Sequence, residues 1–236
     1  MNEYQLLLRN YLIPNPSIRS CGFETISQKE LCEMLHHLNP FERPDLYALG
    51  RDVVYLIEHF RFDASAGNRK GIIGIKIEKD IENLIENDTK PHGGVLYKSE
   101  YKSTKNDFKK NFETNFQAHY QKIPAYKENW TKENWTETNQ PNFKIGFLIE
   151  NQYPPYYFSH QKFKHELLYF QTKQFWQMFS QAQNLDFIIF ACYYSGKPQL
   201  FYIDHHSAFP IENQVDLEDA EVRFWDANET TFSFNF

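Results

Sequence analysis

Cysteine and long apolar runs are both scarce in this chain of 236 residues. Its three cysteines, Cys21, Cys32 and Cys192, have no metal-ligand spacing, and their odd number gives no disulfide framework. Thiols in a reducing compartment are the simplest interpretation. No apolar run approaches the roughly 20 residues that a membrane-spanning helix needs, and the N-terminus lacks the charge order of a signal peptide. These absences predict a cytoplasmic protein with no membrane segment.

An excess of positive charge is also missing, because the formal net charge is −6. This balance argues against a protein that coats nucleic acid through uniform positive charge, although it leaves a local basic cleft open. The sequence has no Gly-rich phosphate loop, no nucleophile elbow and no HExxH motif. Nucleotide-driven motors, α/β-hydrolases and zincins are therefore disfavoured.

Aromatic residues, in contrast, make up 17% of the chain, with 22 Phe and 15 Tyr. Rings bury a large area per residue, so they are expected to supply much of the core volume. A chain of this length can bury a substantial core, and the simplest organisation is one domain over residues 1–236.

Hydrophobic periodicity predicts alternating helices and strands. The order of elements predicts an α/β (α+β) fold with a mixed central sheet flanked by helices. Residues 75–140 form a helical insertion in this interpretation, with Phe108, Phe112 and Phe116 on one stripe. The predicted helices span 4–12, 27–38, 75–86, 97–135 and 164–183, and the main predicted strands span 45–49, 52–62, 142–150, 186–194 and 199–204.

The stretch from Arg43 to Gly71 is predicted to be a β-hairpin followed by a polar loop. With Gly50 and Arg51 as a two-residue turn, Asp45 lies opposite Leu56 and shares a face with Glu58. The two acidic residues are then diagonal neighbours, about 7–8 Å apart at Cα. A divalent cation, which prefers oxygen ligands, fits between them while keeping several waters.

This stretch resembles the Pro-Asp…(Asp/Glu)-x-Lys signature of the PD-(D/E)XK, restriction-endonuclease-like nucleases. Pro44-Asp45 is followed after twelve residues by Glu58-His59-Phe60. The resemblance implies a core of helix, three strands, helix and strand, in which Asp45 and Glu58 bind Mg²⁺. The metal would activate water and offset charge at the scissile phosphate of a nucleic acid, with DNA the expected substrate.

The chain departs from that signature at Phe60, which stands where the family has its lysine. A phenyl ring cannot stabilise an attacking hydroxide or the charge of the phosphate. Either a displaced cation completes the site or the site is inactive. Lys70 in the loop after the hairpin is the first candidate for a catalytic cation, followed by Arg69 and His59.

A structural interpretation of the same residues stays open, with Asp45 starting a strand and Glu58 ending one in water. Several other residues are weaker candidates for chemistry. Glu30 and Glu33 precede the hairpin on a helix, Glu150 ends an apolar strand, and Asp204 and His206 share a strand face as a possible zinc pair. The segment Tyr153–Phe158 is a candidate for stacking bases, and the lysines of the insertion could clamp a substrate.

Two functions follow from these observations. The first is a metal-dependent endonuclease, or a degenerate relative, that acts in defence or on mobile elements. The second is a non-catalytic, immunity-type protein that keeps the same fold and binds a protein partner through its acidic and aromatic surface.

Overall fold

A computed structural model describes residues 18–20, 28–62, 104–134, 141–151, 155–158, 164–194, 197–207 and 209–223. Seven strands in these ranges form one mixed sheet in the order β1-β9-β8-β5-β4-β3-β2. They are β1 (Ile18–Ser20), β2 (Asn39–Pro40), β3 (Leu46–Leu49), β4 (Val53–Arg61), β5 (Asn142–Asn151), β8 (Phe187–Tyr194) and β9 (Lys197–Asp204).

A separate three-stranded antiparallel sheet joins β6 (Tyr156–Phe158) to β7 (Lys164–Glu166) and β10 (Glu221–Arg223). Four α-helices are present among the described residues. They are α1 (Gln28–His36), α2 (Lys105–Tyr120), α3 (Ile123–Asn134) and α4 (Lys173–Gln181). The prediction of a mixed α/β fold is therefore confirmed.

Strands β4, β5 and β8 run parallel at the centre of the main sheet. They are almost continuously apolar, as strands that are covered on both faces should be. The larger core lies on the face of Leu56 and Phe147, where it includes residues of α2, α3 and α4. The smaller core lies on the other face around Ile57 and Leu148, and α1 contributes Met34 to it.

Helices α2 and α3 lie inside the predicted 75–140 insertion. The three phenylalanines of the α2 stripe, Phe108, Phe112 and Phe116, are fully buried and belong to the same core as Leu56 of β4. The described part of the insertion is therefore packed onto the sheet. The predicted helices over 4–12 and 75–86, and the loop that carries Arg69 and Lys70, lie outside the described residues.

Two helix predictions are wrong in their bounds. The long helix expected over 97–135 is divided at Gln121 and Lys122 into α2 and α3. The helix expected over 164–183 begins only at Lys173, because residues 164–166 pair with β6 and the Thr172 side chain caps α4 by accepting from the Phe175 amide. At residues 164–166, pairing with β6 outweighs the helical periodicity of the sequence.

Within the ranges that the structure covers, no helix has the length and apolar character needed to cross a membrane.

Candidate active site at the β3–β4 hairpin

The hairpin register places Asp45 closer to Glu58 than the sequence predicted. Leu49 pairs with Val54 and Leu46 with Ile57, so extending the register by one residue puts Asp45 opposite Glu58. The turn spans Gly50 to Val53, where the Gly50 amide donates to the Val53 carbonyl at 2.8 Å. The predicted two-residue turn, with Asp45 opposite Leu56, is therefore wrong. The observed partner of Asp45 is two residues further along β4 than the predicted partner. Side chains alternate with a period of two along a strand, so Asp45 and Glu58 still lie on the same face of the sheet.

Asp45 immediately precedes β3 and is partly buried. Its Oδ2 accepts a hydrogen bond from the backbone amide of His59 at 2.9 Å. Burial and then the negative charge of Glu58 raise the pKa of Asp45 above its ordinary value. No described residue donates a hydrogen bond to Asp45 Oδ1, so one carboxylate oxygen is left for a further partner.

Glu58 is a buried carboxylate, only 4% exposed, near the carboxyl end of β4. His119 Nδ1 lies 2.7 Å and Lys122 Nζ 2.9 Å from the same oxygen, Glu58 Oε1. Burial by itself raises the pKa of Glu58, but hydrogen bonds from His119, Lys122 and Tyr126 outweigh it and hold the pKa below its usual range. Glu58 is thus stabilised as the ionised form.

Tyr126 of α3 closes the site from the helix side. Its hydroxyl oxygen lies 3.4 Å from the His119 carbonyl oxygen, so its single hydrogen is shared between that carbonyl and the Glu58 carboxylate. Burial, followed by the charge of Glu58 and a hydrogen bond to it, raises the pKa of Tyr126 far above its ordinary value. The phenol therefore stays protonated and serves only as a neutral donor here.

Phe60 packs in the larger core with 6% exposure. Its ring is stacked on the His119 imidazole, with centroids 4.5 Å apart and planes inclined by 6°. Its ring also meets Phe147 in an edge-to-face contact at 5.6 Å. Position 60 thus supplies a stacking surface for a histidine in place of a cation.

The cation at this site is Lys122, in the short connection between α2 and α3. Its backbone amide donates to the His119 carbonyl at 3.0 Å, which keeps the two side chains on the same side of the turn. The sequence singled out Lys70 first, and Lys70 lies outside the described residues. Lys122 is one of the lysines of the insertion, which the sequence predicts only as a group that could clamp a substrate. The available signal was its position three residues after His119, at the end of the buried phenylalanine stripe.

His59 and Glu150 lie on the opposite face of the sheet from Glu58. His59 Nε2 is 3.6 Å and Arg61 Nε 2.9 Å from Glu150 Oε2, and Glu150 is buried. Glu150 therefore neither joins the carboxylate pair nor faces solvent, and the His59 ring is not the displaced cation. His59 acts on the site through its backbone amide, which donates to Asp45, and through its charge, which lowers the pKa of Asp45.

The remaining candidates are also separate from the carboxylate pair. Helix α1, which carries Glu30 and Glu33, contributes to the smaller core on the opposite face of the sheet. There the charge of Glu30 acts on Tyr55 rather than on Asp45, so neither glutamate of α1 joins the pair. Asp204 accepts hydrogen bonds from the backbone amides of His206 and Ser207, which makes it a turn residue.

Two predicted substrate-binding features lie partly among the described residues. Tyr156–Phe158, the end of the segment predicted to stack bases, forms the strand β6, which pairs with both β7 and β10, and Tyr153 lies outside the described residues. Lys105 donates to the carbonyls of Glu218 and Ala220, and Lys109 forms an ion pair with Glu218 at 3.2 Å. These two lysines bind the C-terminal part of the described chain.

A cavity of about 290 Å³ opens at the other end of the central strands. It is lined by residues that include Ile123, Phe143 and Asp186, and neither Asp45 nor Glu58 is among its lining residues. The carboxylate pair instead approaches solvent beside His119 and Lys122, whose side chains are 20% and 52% exposed.

The described residues contain no group of three or more His, Cys, Asp or Glu side chains arranged to hold a metal ion. A cation at this site would bind two carboxylates, Asp45 and Glu58. Mg²⁺ accepts such a site, because it keeps several waters and commonly binds through one or two carboxylates together with substrate phosphate oxygens. Asp45 Oδ1 has no donor among the described residues, and the negative charges of Asp45 and Glu58 repel each other. Both features favour binding of a divalent cation between the two carboxylates.

Comparison of the chain with protein-family models, curated proteins and solved structures gives no match. The functional assignment consequently depends on the geometry of the site.

Proposed function

We propose that the protein is a metal-dependent phosphodiesterase that cleaves nucleic acid, with DNA the substrate expected from the sequence motif. The observation that carries this proposal is the set of charges around one carboxylate pair. Asp45 and Glu58 face each other across the hairpin, and the Lys122 ammonium lies 2.9 Å from Glu58. Two carboxylates and one cation at the carboxyl end of a central strand form a compact site for phosphate chemistry.

The residues have distinct roles in this proposal. Asp45 and Glu58 would hold Mg²⁺, which would supply Lewis-acid stabilisation of the phosphate when bound. Lys122 offsets negative charge that develops on the phosphate oxygens, in place of the lysine that position 60 lacks. Its side chain is half exposed, so it reaches both Glu58 and a bound phosphate.

The order of the described elements also agrees with the core that the motif implies. Helix α1 precedes the strands β2 to β4, and β5, α4 and β8 follow. Strands β4, β5 and β8 are parallel, whereas β3 is antiparallel to β4. This order supports a restriction-endonuclease-like core as part of the proposal.

The test is cleavage of plasmid and single-stranded DNA with Mg²⁺ or Mn²⁺ by wild type, Asp45→Asn and Glu58→Gln. We expect metal-dependent cleavage by the wild type and a loss of at least about 100-fold in each variant, since each removes a ligand charge. Asp52→Asn, in the exposed turn of the same hairpin, is the matched control and should cleave like the wild type. Equal activity in all four proteins would assign the cleavage to another site or to a contaminant.

A second candidate is a non-catalytic protein that binds a protein partner. It is favoured by one observation, that the Lys122 ammonium and the His119 ring already bond to Glu58 Oε1. In this case Glu58 is a structural ion-pair residue. Glu58→Gln would then lower stability while Asp45→Asn would leave every function unchanged.

A further inference from the structure

The cavity of about 290 Å³ lies between helix α3 and the connection from α4 to β8. Ile123, Phe143 and Ile145 give it apolar walls, whereas Lys127 and Asp186 line it with opposite charges. Its volume is at the lower limit of ordinary ligand pockets. It therefore accommodates one ring-sized group rather than a large cofactor.

Asp186 is fixed through its backbone and through one carboxylate oxygen. Its amide donates to the Ile145 carbonyl at 2.8 Å, and Asp186 Oδ2 accepts from the Ile145 amide at 2.7 Å. Within the described ranges no group donates to Asp186 Oδ1, and the residue is exposed. Asp186 thus presents a fixed acceptor to the cavity, and a ligand that meets it must carry a hydrogen-bond donor.

Lys127 and Phe143 lie together on another part of the wall. Lys127 Nζ is 5.9 Å from the centroid of the Phe143 ring, and Trp130 meets the same ring edge-to-face at 5.7 Å. Phe143 is partly buried and Lys127 is exposed, and no carboxylate of a described residue forms an ion pair with Lys127. This part of the wall offers a flat apolar ring for a base to pack on and an ammonium for an anion.

A bare phosphate ion does not suit the cavity. The carboxylate of Asp186 would repel it, and Pro124, in the first turn of α3 and on the cavity wall, has no amide to donate. A nucleotide suits it better, because its anion and its hydrogen-bonding ring are separate groups. The phosphate can approach the exposed Lys127 while an amino group of the base reaches Asp186.

We propose that this cavity binds one unpaired base of a single nucleic-acid strand, a base that carries an exocyclic amino group. The choice of a strand over a free nucleotide rests on the proposed phosphodiesterase function. Strand register places Asp186 and Glu58 about 12 Å apart at Cα, across two strand spacings and two residues. Lys122, which contacts Glu58, directly precedes Ile123 of the cavity wall. A strand of a few nucleotides therefore reaches both places.

The first test measures binding without cleavage, by fluorescence anisotropy of short labelled oligo(dC) and oligo(dT) in EDTA. The ring N–H of thymine lies between two carbonyl oxygens, which Asp186 repels, so we expect oligo(dC) to bind about 10-fold more tightly than oligo(dT). Equal affinity for the two, or binding to neither, would overturn the inference. So would free dCMP that binds as tightly as oligo(dC), since the cavity would then serve a nucleotide and not a strand.

Variants separate the contact to the base from the contact to the phosphate. Asp186→Asn keeps an acceptor for the Ile145 amide but loses the charge, so the preference for oligo(dC) should be lost, whereas Asp52→Asn should keep it. Lys127→Met should weaken binding of both oligonucleotides equally and lower the slope of log affinity against log salt by about 0.7, whereas Lys110→Met should not. A folded Asp186→Asn protein that keeps the preference, or an unchanged slope in Lys127→Met, would overturn the inference.

The cleavage assay distinguishes a failure of this inference from a failure of the proposed function. A wild type that cleaves DNA but binds oligo(dC) and oligo(dT) equally would overturn the base cavity alone. A wild type that prefers oligo(dC), through Asp186, but does not cleave DNA with Mg²⁺ or Mn²⁺ would support the base cavity and overturn the proposed function.

Discussion

The two carboxylates of the site are held in opposite electrostatic states. Burial and the charge of Glu58 raise the pKa of Asp45, whereas the donors around Glu58 outweigh its burial and lower its pKa. The fold stabilises the ionised form of Glu58 and destabilises the ionised form of Asp45. A residue that costs stability when ionised is typical of sites arranged for function rather than for folding.

This asymmetry predicts that Asp45→Asn stabilises the protein at neutral pH. Asparagine keeps an acceptor for the His59 amide but removes a negative charge beside Glu58. Because the folded-state pKa of Asp45 is raised above its unfolded value, its stability contribution is complete below the unfolded pKa. The contribution is lost as the pH rises through the folded pKa. The advantage of Asp45→Asn should therefore be largest at neutral pH and shrink as the solution is acidified.

Urea unfolding of wild type and Asp45→Asn at a series of pH values measures this difference. Asp52→Asn, with its carboxylate in the exposed turn, should show a much smaller dependence. A variant that is less stable than the wild type at neutral pH would contradict the assignment of Asp45 as a penalised anion.

At the scale of elements, helix α2 connects the core to the site. Its buried phenylalanines pack on the sheet and against Tyr169, and the same helix carries His119 in its last turn. Phe112 stacks on Tyr169 with centroids 4.0 Å apart and is fully buried. The position of His119 is consequently fixed by aromatic packing earlier in the same helix.

Phe112→Ala should lower the free energy of unfolding by about 3–5 kcal/mol, because it removes a large ring and leaves a cavity in the core. Gln117→Ala, on the exposed side of the same helix, should change it by less than about 0.5 kcal/mol. Chemical denaturation of both variants provides the comparison. A small effect of Phe112→Ala would show that α2 is not part of the main core.

At the scale of the whole molecule, elements that depend on local pattern were predicted well. The apolar runs of β4, β5 and β8 gave the central strands, and the spacing of Phe108, Phe112 and Phe116 gave the buried face of α2. The alternation of side chains along the two strands of the hairpin was sufficient to place Asp45 and Glu58 on one face of the sheet. The predicted two-residue turn was wrong, because the turn spans Gly50 to Val53.

The rest of the site depends on contacts that a single sequence does not encode locally. Lys122 is 64 residues from Glu58 along the chain and His119 is 61 residues away. Their approach requires α2 to pack on the sheet in one particular register. Glu150, by contrast, stands near the end of the apolar strand β5, where solvent-facing residues are common, yet it is buried and pairs with Arg61 of the neighbouring strand β4.

In the proposed site, Lys122 completes the pair of Asp45 and Glu58 and supplies the cation that Phe60 does not. Lys122 is half exposed, but its partner Glu58 is buried, so removal of Lys122 should also lower stability by taking one donor from a buried carboxylate. Its effect on the phosphate should be much larger, since loss of one group that stabilises transition-state charge commonly lowers kcat by about 100-fold or more.

The most direct measurement is the Mg²⁺-dependent cleavage rate of DNA by Lys122→Met, compared with Lys110→Met on the exposed face of α2. We predict at least about a 100-fold lower kcat for Lys122→Met, measured at a temperature where the variant is folded, and full activity in Lys110→Met. Cleavage by Lys122→Met at the wild-type rate would contradict the account.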